Sequence, residues 1–355
     1  MKTIITALSA IVVVLVSSCA QPPPGCQVSS SAAYTAKYAK TAGDGVCGAL
    51  LGDQLGMASY NPPNKDGTAP DLSKVSLAIR TNHLGTLVAT AHDQGVDDTT
   101  AGDKPHSFGP FTTGIPDADI CTPSKLDPAH QVLAALPGDV GDPEDPDDDI
   151  PSQAAVDTTE EWTGVKVYVT AAAIGTQLKG HYKITDNVAG CSAEYDVLAV
   201  FPAVSCEEVV PDGAPLDLAS IDDNVDHTVT IVTAPANTLA VGDAFEIAGT
   251  DNDQSSFDGP YTVASIDAAT NTIVTAEIDP FDGDEPDPAV LNTGTLQKLK
   301  SQGNPDLCSA DAIPEKGIAV GSGISPDFPV VCDPDLLACA LNADPTTGTF
   351  PVLKK

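Results

Sequence analysis

Nine cysteines are the residues of this chain best placed to do chemistry, and their number is odd. Cys19 stands apart. It follows Lys2, a mostly apolar run from Ile4 to Val16, and the small residues Ser17 and Ser18. A positive start, a short apolar stretch and small residues before a cut is the order of a secretory signal, and the stretch is too short to span a bilayer. The other eight are Cys26, Cys47, Cys121, Cys191, Cys206, Cys308, Cys332 and Cys339. An even set in an exported chain reads as a disulfide framework formed in an oxidising compartment. Two pairings suggest themselves: Cys332 with Cys339, which closes a short loop, and Cys206 with Cys308, which would clamp the base of an insertion described below.

The carboxylates offer two weaker possibilities. Asp251, Asp253 and Asp258 share one loop and carry the hard oxygen ligands that Ca²⁺ takes, although Asp-rich turns look the same in sequence. Ca²⁺ is the one cofactor these loops could bind; none is required. In the acidic run 137–152, Asp145, Asp147 and Asp149 alternate, but no Asp-x-Asp-x-Asp-Gly register follows. Repeated proline and like charges make that run a disordered surface loop instead. Glu160 and Glu161 beside Trp162 are the one acidic pair next to an aromatic, a pattern that marks some sugar sites. Neighbours in a strand point to opposite faces, so the two carboxyls would not converge on one bond.

Other catalytic signatures are missing. There is no Cys-x-x-Cys for zinc or haem, no His-Glu-x-x-His, and no glycine-rich phosphate loop between a strand and a helix. Gly321-Ser322-Gly323 is not a nucleophile elbow. Of the six histidines, only His83 and His92, with Asp93, are close enough in sequence to converge. The expectation is therefore a protein that is not an enzyme and has a structural, adhesive or assembly role, with a Ca²⁺-dependent binding protein or an envelope hydrolase acting through paired carboxylates as alternatives.

Charge narrows the partners. Sixteen Lys and Arg against 50 Asp and Glu give a formal charge of −34, and Arg80 is the sole arginine. Nucleic acid is excluded, because phosphate binding needs clustered cations. Attraction to an anionic lipid surface by charge is excluded too, so a membrane partner must be reached through a lipid. The acidity itself reads first as a solvated surface that keeps an exported protein soluble.

The elements that must position these residues are mainly strands. Pro and Gly are spread along the chain, Val, Ile and Thr are frequent, and heptads are absent. Ala33–Ala39 and Lys74–Arg80 alternate as strands, with Gly85–Ala89 a candidate partner for the latter. Gly48–Met57 reads as a helical turn or looped crossing, and 91–126 as a long loop held by Cys121. Val165, Val167 and Val169, then Tyr182 and Ile184, then Tyr195, Val197, Ala199 and Phe201 predict a three-strand meander. Residues 219–300 hold no cysteine. Five short strands are predicted there, at 228–232, 239–243, 245–249, 258–267 and 271–275, around a core of Val229, Ile231, Phe245, Ile247, Tyr261, Val263, Ile266 and Ile273. The organisation expected is a signal over 1–18, a Pro-rich tether over 19–25, a cysteine-stapled β-domain over 26–218 plus 301–355, and an inserted small β-barrel or sandwich over 219–300.

Three resemblances add to this reading. Leu15-Val16-Ser17-Ser18-Cys19 resembles the lipobox of bacterial lipoproteins, which implies that Cys19 is acylated and becomes the mature N-terminus. Ala20, where an Asp would signal inner-membrane retention, implies the outer membrane. The run Val241-Gly242-Asp243, Ile247 to Gly249, Asp258 to Val263 and Asn271 to Ile273 resembles small β-modules of phage tail and bacterial surface proteins, which implies a spacer or display role. Finally, Gly45-Val46-Cys47-Gly48, Cys191 to Tyr195, Tyr195 to Cys206, and Gly321 to Pro329 with the last two cysteines resemble uncharacterised surface lipoproteins of gliding, predatory Gram-negative bacteria. That implies a surface location, with other envelope or surface proteins as partners, and supplies no catalytic residue.

Overall fold

Alternation of apolar and polar residues sets the architecture. In a strand, side chains point alternately to the two faces, so a period of two buries one face and wets the other. The computed structural model describes residues 25–71, 73–93, 104–135, 154–223, 228–234, 236–250, 257–275 and 294–354. Cys19, the tether up to Pro24, the acidic run 137–152, Asp251 and Asp253 lie outside the described residues. The chain divides into two units, Met1–Ser31 with Lys40–Gly48 and Leu55–Val197, and Ala32–Ala39 with Ala49–Gln54 and Leu198–Lys355. The protein is mainly β and carries four disulfides.

The first nine strands are β1 (Tyr34–Gly43), β2 (Gly52–Tyr60), β3 (Ser76–Thr81), β4 (Ser107–Pro110), β5 (Ile120–Cys121), β6 (Ala129–Leu133), β7 (Val156–Val169), β8 (Ile174–Asp186) and β9 (Cys191–Val200). They form one sheet in the order β4-β3-β2-β1-β9-β8-β7-β5, with β6 also on β7. The meander is β7, β8 and β9. On its inner face Trp162 packs at a tilt against Tyr182 at 4.9 Å, and Tyr182 stacks on Tyr195 at 6.2 Å. Gly43 ends β1 with φ +88°, and a Cβ there would stand 2.1 Å from the Ser192 carbonyl oxygen, so only glycine fits.

Three expectations need correction here. Gly48–Met57 is a 3₁₀ turn (Val46–Ala49) followed by β2, because Leu55 and Met57 are buried at strand spacing. Gly85–Ala89 is not a strand but part of helix α1 (Asn82–Asp93). Thr81 Oγ1 accepts the Leu84 N–H at 3.0 Å, which caps the helix, and Leu84 and Ala91 are buried two turns apart. The expected long loop up to 126 holds β4 and β5 in its described part.

In the second unit, β10 (Glu207–Pro211), β11 (Leu216–Asp223), β12 (Val229–Thr233), β13 (Ala244–Ala248), β14 (Gly259–Asp267), β15 (Thr272–Thr275) and β16 (Thr295–Gly303) form the second sheet. Its order is β10-β16-β11-β12-β15-β14-β13, and β13 pairs again with β16. Six strands, β11 to β16, thus close into a barrel with no free edge. Leu218, Ile221, Val229, Ile231, Phe245, Ile247, Phe257, Tyr261, Val263, Ile273 and Leu296 fill it, with Ile266 only partly buried. The segment 239–243 is a turn rather than a strand, because Asp243 Oδ2 accepts the Ala240 N–H at 2.7 Å. Two further strands, β11 and β16, straddle residues 219 and 300. Leu216 lies opposite Leu296 in their ladder, so the chain enters and leaves the barrel side by side. Strand β16 runs on to pair with β10, from Pro211↔Leu299 to Glu207↔Gly303. A hairpin of β17 (Val330–Asp333) and β18 (Ala338–Leu341) completes the unit.

Candidate functional site

The eight cysteines form Cys26–Cys121 and Cys47–Cys191 in the first unit, and Cys206–Cys332 and Cys308–Cys339 in the second. The first pair ties the chain before β1 to β5. The second ties the turn after β1 to the start of β9, and Tyr195 donates its hydroxyl to the Cys47 carbonyl. The pairings Cys332–Cys339 and Cys206–Cys308 are both wrong. Cys332 and Cys339 are opposite one another in the β17–β18 ladder, and each reaches off the hairpin to a different partner. Spacing along the chain shows only which loop is shortest, whereas the ladder decides which sulfurs meet.

These two bonds sit where the barrel joins the rest of its unit. The Cys206 carbonyl accepts the Asn304 N–H at 2.7 Å, directly below the β10–β16 ladder. The Cys206 N–H goes to the Leu337 carbonyl and the Cys339 N–H to the Val204 carbonyl. The sulfurs of Cys206, Cys308 and Cys332 lie within 4.8 Å of one another. Zinc needs free thiolates, and here every sulfur of the group is in a disulfide. The cluster is a covalent clamp.

Asp258 closes a loop. Its Oδ1 accepts the Thr250 N–H at 2.9 Å and the Thr250 hydroxyl at 2.8 Å, and its Oδ2 accepts the Gly249 N–H at 3.0 Å. The Thr250 N–H foremost holds its carboxyl below the usual range, against the opposing effect of burial; the Thr250 hydroxyl and Gly249 N–H add to the lowering. Both oxygens are committed to protein donors. Asp251 and Asp253, the other candidate ligands, lie outside the described residues.

The acidic pair splits as strand geometry demands. Glu160 is on the buried face of β7 with Trp162, and Glu161 is on the other, 4.0 Å from Lys183. Glu160 Oε1 accepts the Thr81 hydroxyl at 2.7 Å, and His83 Nδ1 is 3.5 Å away. Glu160 Oε2 and Trp162 Nε1 are buried without a hydrogen-bond partner among the described residues. Glu160 therefore anchors the start of α1 to β7, and it does not share a cleft with Glu161. His83 and His92 are nine residues apart on α1, which places them on opposite sides of the helix. His181, absent from any sequence motif, lies between Asp196 (3.1 Å) and Glu194 (3.4 Å) on the meander's outer face. Only the fold brings those three together.

Fold and framework define a mainly β protein locked by two disulfides in each unit, with a closed barrel carried in the second. The comparisons fall on the nine-stranded sheet. The model of the MlpA family matches residues 29–202, the stretch that holds β1 to β9 and stops before Cys206. The Myxococcus xanthus protein named "Putative lipoprotein MlpA" is 28% identical over 195 residues, covering 53% of this chain and 70% of that protein. No solved structure matches. The stretches around Cys47 and Cys191 lie inside the family match, whereas Gly321 to Pro329 lies beyond it.

Proposed function

We propose that the chain is an exported lipoprotein, anchored through an acylated Cys19, that acts as a non-catalytic structural, adhesive or assembly component of the cell envelope. The observation that carries this is the closed cysteine account. Cys26, Cys47, Cys121, Cys191, Cys206, Cys308, Cys332 and Cys339 satisfy one another, which leaves Cys19 with no disulfide partner in the chain. It stands after an apolar leader and before Ala20 and three prolines, where an acyl anchor followed by a stiff spacer belongs. The likeness to a Myxococcus lipoprotein supports the same reading. Ala20 favours the outer membrane. The barrel then serves as a spacer or display module, and contacts with other envelope or surface proteins are its partners.

The test is membrane fractionation with mass spectrometry of the N-terminal peptide. Wild type carries diacylglycerol on Cys19 and pellets with outer membranes. Cys19→Ala is soluble, because acyl chains supply about 0.8 kcal/mol per buried CH₂. An unmodified Cys19, or a Cys19→Ala protein that still pellets, overturns the proposal.

A further inference from the structure

The outer face of β2, β3 and β4 carries a feature that neither the disulfides nor the anchor explain. The ladders pair Gly56 with Arg80, Ala58 with Ala78 and Tyr60 with Ser76, and continue Ala78 to Phe108 and Ser76 to Pro110. Leu55, Met57, Leu77, Ile79 and Ser107 are buried on the opposite face. The outer face is therefore a small grid. Its centre is one glycine and two alanines, and its margin is Arg80, His106, Phe108 and Tyr60. The missing side chains leave a cavity of about 380 Å³ lined by Gly56, Ala58, Ala78, Arg80 and His106. That is at the small end of ligand pockets, which run from about 300 Å³ upward.

The margin has two characters. At one end stand Arg80 and His106. Arg80 is the sole arginine of a chain with 50 acidic residues, yet no carboxylate among the described residues lies in ion-pair range of it. Burial, and then the charge of Arg80, lowers the pKa of the His106 imidazole, so the guanidinium is the cation of the pair at neutral pH. Along the side lie aromatic rings: Phe108 is 6.0 Å from His106, edge-on, and 6.4 Å from Tyr60. Tyr60 is 55% exposed, far more than a tyrosine packed for stability.

We propose that this pit binds a carboxylate-bearing sugar unit. The planar guanidinium of Arg80 takes the carboxylate through two parallel N–H bonds. The apolar C–H face of the ring lies on Gly56, Ala58 and Ala78 beside Phe108. Hydroxyls reach His106, Ser76 and Tyr60. A peptide terminus fits less well. The pit is on a sheet face, where the backbone N–H and C=O groups are already spent in the ladders, so an extended peptide finds no edge to join. The net charge of −34 opposes anions at a distance, but salt screens that repulsion beyond about 8 Å. The site therefore suits a single carboxylate held at short range. None of this depends on the lipid anchor.

The test is a titration of the detergent-solubilised full chain, followed by the His106 ring resonances with His181 as a remote control. The probes are glucuronate, glucose, acetate and N-acetylglycine. Glucuronate shifts His106 saturably and leaves His181 in place; glucose and acetate shift neither at the same concentration. Arg80→Gln weakens glucuronate roughly tenfold or more, as expected for a charged bidentate bond. Phe108→Ala also weakens it, and unchanged His181 signals show that both variants are folded. No shift with glucuronate, equal binding by Arg80→Gln, or equal binding of acetate or N-acetylglycine overturns the proposal.

Discussion

Cys332 and Cys339 face each other across the β17–β18 hairpin, and each is bonded elsewhere, to Cys206 and Cys308. The hairpin thus pins both Cys206, which precedes β10, and Cys308, which follows β16. Non-reducing digestion with mass spectrometry should return Cys206–Cys332 and Cys308–Cys339 peptides and no peptide joining Cys332 to Cys339. Alkylation of the denatured, unreduced chain should label none of the eight. Replacing Cys206 and Cys332 together by serine should lower stability by about 2–5 kcal/mol in denaturant unfolding.

Thr81 performs two tasks with one hydroxyl, donating to Glu160 and accepting from Leu84 N–H. Thr81→Ala loses the cap and strips a buried carboxylate of a donor, at about 1–3 kcal/mol. Thr81→Ser keeps the oxygen and should recover most of that. Equal denaturation midpoints for the two variants would show that the hydroxyl is not what matters.

The positions that sequence reasoning reached are those where a period of two ran for a whole strand. Val165, Val167 and Val169 gave β7 away, and Tyr195, Val197 and Ala199 gave β9. Gly85–Ala89 differs: its five residues are compatible with strand and helix alike, and the deciding group, the Thr81 hydroxyl, stands outside them. Strand β16 was hidden for a different reason. Its Leu-Gln-Lys-Leu-Lys pattern is short and charged, and the barrel uses Leu296 alone as a fully buried residue. The cysteine count told that disulfides form. It was silent on pairing, because partners are set by ladders whose register depends on residues far away. The Arg80 pit was equally illegible, since its floor is made of side chains that are small or absent.

Asp333 makes one contribution to stability depend on pH. It is buried, and burial alone would raise its pKa, but the Lys37 ammonium at 2.7 Å and the Asp335 and Leu336 N–H groups bring it below the usual carboxylate range. A carboxyl with a depressed folded pKa stabilises above its unfolded value of about 3.9, and that contribution is lost as pH falls through the folded value. Lys37→Met should therefore cost about 1–2 kcal/mol at pH 7, discounted because Lys37 is 40% exposed. The gap between variant and wild type should close as the pH drops below the carboxylate range. A gap that is constant with pH would mean that Lys37 acts by packing instead.

The barrel's paired ends predict that it can be removed. Pro211 and Leu299 are opposite residues at the barrel end of the β10–β16 ladder, and Cys206 and Asn304 are joined at the other end. Joining Pro211 to Leu299 through Asn-Gly makes a two-residue hairpin, the tightest connection whose twist suits antiparallel strands. The excision discards Leu218, Ile221, Val229, Ile231, Phe245, Ile247, Tyr261, Val263, Ile273 and Leu296 as a set, so the barrel core is not split between two products. Loop-closure cost rises only slowly with length, and shortening this connection costs the remainder little. The shortened chain should form the same four disulfides, read by non-reducing peptide mapping, and keep a cooperative unfolding transition. In the intact protein, Phe245→Ala should lower barrel stability by about 3–5 kcal/mol, while the ring signals of Trp162 and Tyr182 in the first unit stay unmoved. Scrambled disulfides in the shortened chain, or Trp162 signals that shift with Phe245→Ala, would show that the barrel and the cysteine-stapled sheet fold as one cooperative body.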